Sequence, residues 1–249
     1  MRFHTLVLES DKKAERKERE EHLPVYTKNA YLRRKQMESR APLKNRSFYL
    51  CRMIEEDLKG IDIDGSGKIT ICAHQVHTYP VEVKYTCDRH FHVSIYYLEQ
   101  EQIDAIEKAV GEGTEPVVIA GILRDSLLDI SRQNNRSEDV AQRIENAFER
   151  IINSHFVREE RIAKLTKRSG STGLTAEVYR VLSEEVGECW YVKITDRKGN
   201  LLRQETMGSG TRYVDRLGSR LYAKSEWRED TFVITERFGK VVFSISVLS

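Results

Sequence analysis

The chain has 249 residues, 41 Lys and Arg against 39 Asp and Glu, and a formal net charge of +2. That balance excludes a molecule that engages nucleic acid or an anionic membrane through bulk charge. A hydrophobic content of 39% fits a water-soluble chain long enough for one large or two small cores. No apolar run approaches the roughly 20 residues of a membrane span. The first residues have too short an apolar core for a signal peptide. Four widely spaced cysteines without a CxxC pair read as thiols of a cytoplasmic protein.

In chain order, residues 3–9 read as a short opening strand. The charged run from Ser10, closed by Pro24, reads as a solvated helix with Glu15/Arg19 at ion-pair spacing. A second helix is expected over Asn29–Ser39. A third spans Ser47–Lys59, with Leu50, Ile54 and Leu58 on one stripe. Residues 1–59 carry five more basic than acidic side chains, a mildly basic face.

Lys68–Leu98 is expected to form the central sheet, with strands at Lys68–His74, Val81–Thr86 and Phe91–Leu98. The period then becomes helical. Glu99–Val110 is closed by Gly111, and Pro116 opens a helix burying Ile119, Ile122, Leu123, Leu127 and Ile130. Glu138–Leu165 continues the pattern, with a break expected near Asn153-Ser154. Lys167–Gly173 reads as a linker. Beyond it, Thr175–Val186 is expected to be a helix, stopped by Gly187. Two hairpins follow: Cys189–Thr195 with Leu201–Met207, and Thr231–Phe238 with Val241–Leu248.

The predicted class is therefore α+β. A first domain, 1–168, has a small, mostly antiparallel sheet flanked by helices. A second, 169–249, has a helix plus two β-hairpins, and the two are also compatible with docking as one unit.

Four of seven His and two of four Cys lie between Cys72 and His92. Strand alternation places Ile69, Ile71 and Ala73 on one face and Cys72 and His74 on the other. It likewise separates Val93, Ile95 and Tyr97 from His92, Ser94 and Tyr96. If both apolar faces share one core, Cys72, His74 and His92 gather on a polar surface with His90 at its rim. Such a set offers Zn²⁺ three or four ligands, although the spacing matches no standard zinc module. The competing reading is a sheet face of ordinary polar side chains, and it is preferred.

Asp62–Ile69 resembles the opening of an EF-hand loop, but the twelfth position is Ala73 rather than a bidentate Glu. Glu82-Val83-Lys84 with an upstream Asp62 or Asp64 resembles the PD-(D/E)xK nuclease pattern. There, acids hold Mg²⁺ and the Lys positions the attacking water. His92-Val93-Ser94-Ile95 supplies half of a two-histidine phosphoesterase signature, without its second copy.

In the last segment aromatics interleave with bases, among them Tyr213, Arg216, Tyr222 and Trp227. This composition suits a protein interface better than a nucleic-acid groove. The sequence thus favours a non-enzymatic, cytoplasmic protein-binding protein of an inhibitor or immunity type, which blocks a partner toxin or enzyme. No cofactor is expected under that reading. The alternatives are a hydrolase or nuclease using Zn or Mg, and a nucleic-acid-binding regulator using the basic first helices or the final hairpins.

Overall fold

A computed structural model describes residues 2–10, 43–73, 84–207 and 221–247. The helices expected in the charged run and over Asn29–Ser39 lie outside the described residues. The chain divides into two compact units, Met1–Phe156 and Val157–Ser249. The class is α+β, with mostly antiparallel sheets.

In the first unit, β1 (Thr5–Ser10), β2 (Lys68–Ala73), β3 (Tyr85–Asp88) and β4 (Val93–Tyr97) form a sheet of order β1-β2-β4-β3. This sheet departs from the antiparallel expectation. β2 runs parallel to both β1 and β4, and only the β3–β4 pair is antiparallel. Two features produce that order. The long connection between β1 and β2 leaves room for a crossover. The β3–β4 hairpin then brings β4 back beside β2 rather than placing β3 there.

The helices among the described residues are α1 (Leu43–Arg46), α2 (Phe48–Asp57), α3 (Gln100–Glu112), α4 (Glu115–Gln133) and α5 (Glu138–Asn153). On α2, Leu50 and Ile54 are fully buried, as is Leu58 at its C-terminal end. The five apolar positions expected on α4 are all buried. Ile144, Ala147, Phe148 and Ile151 do the same for α5. α3 begins in a capping box, in which the Glu99 amide donates to Gln102 Oε1 at 3.0 Å. It ends two residues later than expected, at Gly113, whose φ of 70° suits a left-handed cap. α5 stops at the expected break, but the helical pattern read as far as Leu165 does not resume, because Arg158–Arg161 is a strand paired with Tyr179–Leu182. His155 is exposed beyond the helix end.

The buried sheet face carries Leu6, Leu8, Ile69, Ile71, Ala73, Ser94 and Tyr96, which the parallel register places side by side. At the β1 edge, the Leu6 amide donates to buried Glu55 Oε1 at 2.8 Å. That bond ties α2 to the strand and satisfies a donor that no neighbouring strand would meet.

In the second unit, β5 (Arg158–Arg161), β7 (Thr175–Ser183), β8 (Gly187–Thr195) and β9 (Leu201–Met207) lie in that order. The short β6 (Lys167–Arg168) also pairs with β7. A second sheet contains β10 (Lys224–Arg228), β11 (Thr231–Thr235) and β12 (Val241–Ser246). Their shared core joins Ala176, Val178, Trp190, Val192 and Ile194 to Phe232, Ile234 and Ile245.

Thr175–Val186 is thus a strand and not the expected helix. Ala176, Val178, Arg180 and Leu182 point inward at period two, but a charged residue interrupts the apolar pattern. Without Arg180, Val178, Val181 and Leu182 mimic helical spacing. Lys167–Gly173 does not separate the units, because β6 already pairs with β7 inside the second unit.

Candidate functional site

Among the described residues, the predicted zinc ligands Cys72, His90 and His92 do not converge. Lys68 pairs with Val93 and Cys72 with Tyr97, so His92 lies at the opposite end of β2 from Cys72. Five residues of strand separate their levels, about 16 Å at the usual rise. The assignment of the β4 faces is also reversed. Ser94 and Tyr96 share the core face with Ile69 and Ile71, whereas Val93, Ile95 and Tyr97 share the other face with Thr70 and Cys72.

Polar partners beneath the sheet explain the reversal. The Tyr96 hydroxyl donates to Asp129 Oδ2 of α4 at 2.7 Å. His90 and His92 fall in the turn between β3 and β4, where Asp88 Oδ1 accepts from the amides of His90 and Phe91. His74 lies outside the described residues. Among the described residues, no group of three or more His, Cys, Asp or Glu is arranged to hold a metal ion.

The acidic turn before β2 is built as a structural joint. Asp62 Oδ1 accepts from the Gly65 amide at 2.7 Å and from Arg136 Nη2 at 3.0 Å. Asp64 is buried. Its Oδ1 accepts from the amide and hydroxyl of Ser66, and its Oδ2 accepts from the Tyr85 hydroxyl at 3.0 Å. Asn134 Nδ2 donates to the same phenol at 3.1 Å. Burial, aided by the Asp64 charge, pushes the Tyr85 hydroxyl up to about 12.

Of the nuclease triad, Asp64 is therefore spoken for and Glu82 lies outside the described residues. The Lys84 ammonium is bound to Glu99 at 2.8 Å and lies over the Tyr96 ring at 5.3 Å. Its hydrogen bond to Glu99 holds it above the ordinary lysine range, as a fixed cation. Of these groups, Asp64 is the buried one, and both of its carboxylate oxygens already accept hydrogen bonds.

The aromatic residues predicted to meet a partner divide differently. Tyr213 and Arg216 lie outside the described residues. Tyr222 is 7% exposed and packs against Trp190, so it belongs to the core and not to a docking surface. Trp227 lies 5.5 Å from the Phe232 ring and donates its indole N–H to the Lys167 carbonyl at 3.0 Å. Its energy goes into closing the β6–β10 side of the unit.

The outward face of β7 and β8 holds the aromatic cluster that sequence reading missed. Tyr179 and Tyr191 are paired across the strands, with ring centroids 5.1 Å apart and planes within 11°. Lys193 Nζ lies 4.6 Å from the first ring centroid and 5.2 Å from the second. Around them, the Tyr191 hydroxyl donates to Glu159, the Tyr179 hydroxyl donates to Glu177 at 3.1 Å, and Arg161 pairs with Glu177 at 2.7 Å. Burial first, then the neighbouring carboxylates, raises both phenols, so they remain hydrogen-bond donors at neutral pH.

The alternation of Trp190, Val192 and Ile194 already turns Tyr191 and Lys193 outward. Their neighbour Tyr179 was hidden because β7 reads as helix. Comparison with models of known protein families, with curated proteins and with solved structures finds no match to this chain.

Proposed function

We propose that this is a non-enzymatic protein-binding protein whose second unit presents the outer face of β7 and β8 to a partner. The observation that carries the reading is the Tyr179–Tyr191 stack capped by Lys193 on an accessible sheet face. Tyrosines offer large contact area with few rotatable bonds. Here the rings are already locked by each other and by Glu159 and Glu177, so little side-chain entropy remains to be lost on binding. The rim mixes Glu159, Glu177, Arg161 and Lys193. It suits a folded protein surface with both charge signs rather than a phosphate backbone, which the two carboxylates would repel.

An inhibitor or immunity role in the cytoplasm is the particular form proposed, with a toxin or enzyme as the protein blocked. The burial of Asp64, with both of its carboxylate oxygens hydrogen-bonded inside the protein, supports a non-enzymatic reading over a nuclease. Among the described residues, no helix is long and apolar enough to cross a membrane.

The test places a photoreactive benzophenone side chain at position 177 and irradiates intact cells. The adduct is identified, and the partner is purified and titrated against wild type and Tyr179→Ala/Tyr191→Ala. The proposal expects one reproducible protein adduct and at least a hundredfold weaker binding by the double variant. Equal affinity for the two forms would remove this face from the interface.

A further inference from the structure

The turn between β6 and β7 has no part in the aromatic face. Arg168-Ser169-Gly170-Ser171-Thr172-Gly173 gathers hydroxyls and glycines behind a cation. Its own hydrogen bonds close it. The Ser169 amide donates to the Leu174 carbonyl at 2.8 Å, and the Gly173 amide donates to the Ser169 carbonyl at 3.1 Å. Ser169 is 3% exposed, and its hydroxyl accepts from the Thr172 amide and pairs with the Ser171 hydroxyl. Between these closures, the amides of Gly170 and Ser171 donate to nothing among the described residues. A Cβ on Gly170 would meet nothing within 4 Å, so the space beside those two donors is open.

A cation from another turn is held against this one. Thr175 pairs with Thr195, so the β6–β7 and β8–β9 turns emerge at the same end of the sheet. Arg197 reaches from the second turn to the first, and its guanidinium occupies the place where a side chain at Gly173 would begin. Arg168 stands opposite Thr175 in the same row.

Elsewhere in this unit, Arg161, Arg180, Arg203 and Arg228 are each paired with a carboxylate. Among the described residues, Arg168, Arg197 and Arg237 make no ion pair, and the first two are carried at this one end. The acid of the β8–β9 turn, Asp196, is consumed locally. It accepts from the amides of Lys198 and Asn200 and from Asn200 Nδ2. Glu177, the next carboxylate along β7, is held by Arg161 and Tyr179.

Consecutive unbonded amides and a guanidinium suit an oxyanion. The amides supply fixed partial positive charge, and the planar fork of an arginine pairs with two phosphate oxygens at once. A phosphate monoester fits better than a carboxylate, because its three acceptor oxygens and charge of about −1.5 to −2 match two guanidinium groups and two amides together.

We propose that the β6–β7 turn and Arg197 form a phosphate-binding site, which takes a phosphomonoester through the Gly170 and Ser171 amides and the Arg168 and Arg197 guanidinium groups. The site uses none of the aromatic residues, so the inference stands whether or not their face binds a protein.

The experiment is an amide-resolved NMR titration of the full chain. The probes are inorganic phosphate, a short phosphoserine peptide, the same peptide unphosphorylated, and an oligothymidine. Inorganic phosphate and the phosphopeptide should shift the Gly170 and Ser171 amides saturably, with Kd of about 1 mM or tighter. The unphosphorylated peptide should not shift them. Arg168→Gln and Arg197→Gln should each weaken binding by about tenfold. Arg237→Gln, which alters an unpaired arginine in the β11–β12 turn, should leave it unchanged, and the spectra show that each variant is folded. Phosphoserine loses its second charge below about pH 6, so affinity should fall as pH drops through that value. A tighter phosphopeptide assigns the site to a phosphorylated side chain, and tighter inorganic phosphate assigns it to the free ion. Tighter binding of oligothymidine, whose diesters carry one charge each, would overturn the monoester assignment. Shifts that fail to saturate by about 20 mM, or an affinity indifferent to both the Arg168 and Arg197 substitutions, would overturn the site itself.

Discussion

Arg180 and Glu188 offer the sharpest energetic test of the second unit. The Arg180 Nε donates to Glu188 Oε1 at 2.8 Å, and the Trp190 indole N–H donates to the same oxygen at 2.9 Å. The two side chains are only 9% and 5% exposed, on the inward face of β7 and β8. Arg180→Met keeps most of the side-chain volume but removes the cation, leaving a buried carboxylate with one neutral donor. Breaking a buried pair from one side costs about 3–5 kcal/mol, a large part of the roughly 5–15 kcal/mol that holds a domain folded.

Arg180→Met/Glu188→Gln removes both charges while preserving an acceptor for Trp190. Replacement of a whole buried pair is often close to neutral, so this variant should fall within about 1.5 kcal/mol of wild type. The assay is urea unfolding followed by tryptophan fluorescence. Both tryptophans of the chain, Trp190 and Trp227, lie in the second unit, so the signal reports that unit alone. With a urea slope of about 1–2 kcal/mol/M, the single variant should lose about 2 M or more from its midpoint. A single variant that loses less than about 1 kcal/mol would refute the reasoning, as would a double variant no better than the single one.

Three further outcomes are expected. Tyr85→Phe removes a donor from buried Asp64 and should cost about 1–2 kcal/mol in the first unit, read by helical circular dichroism. The folded-state pKa of Tyr85 is raised above its ordinary 10 to about 12, so its contribution is complete below pH 10 and lost as pH rises toward 12. The variant should therefore show a shallower alkaline decline than wild type, and parallel profiles would contradict this. Glu55→Ala strands the Leu6 amide and should cost about 2–3 kcal/mol, whereas Glu55→Gln, still an acceptor, should recover most of it. Gly173 has φ +74°, and a Cβ there would run into the Arg197 guanidinium. Gly173→Ala should cost at least about 1 kcal/mol from backbone strain. Arg197→Ala in the same chain should relieve only the part due to contact, as thermal melts would show.

The helices of the first unit were legible because each carries its own 3.6-residue stripe and its own stops. Ile119 through Ile130 and Ile144 through Ile151 are buried as their spacing demands. The β8–β9 and β11–β12 hairpins were legible for a similar reason, since alternation and a glycine turn are local signals. At Gly199 and Gly239, φ is 86° and 91°. The same local logic failed at β7, where Arg180 occupies an inward position that only a partner on the neighbouring strand explains.

The proposed metal face shows the limit most directly. Alternation correctly separated the residues of β2, and β4 does lie beside it. Which face of β4 turns inward depends on register, and a slip of one residue reverses every side chain. Hydrogen bonding of Tyr96 to Asp129 and of Tyr85 to Asp64 and Asn134 fills the buried side with polar groups that hydropathy assigns to solvent. The sequence by itself determined the α+β class, the helix faces and the local hairpins, through interactions among residues a few positions apart. Strand order, register and the pairing of Tyr179 with Tyr191 arise between residues distant in the chain, so only the tertiary structure decided them.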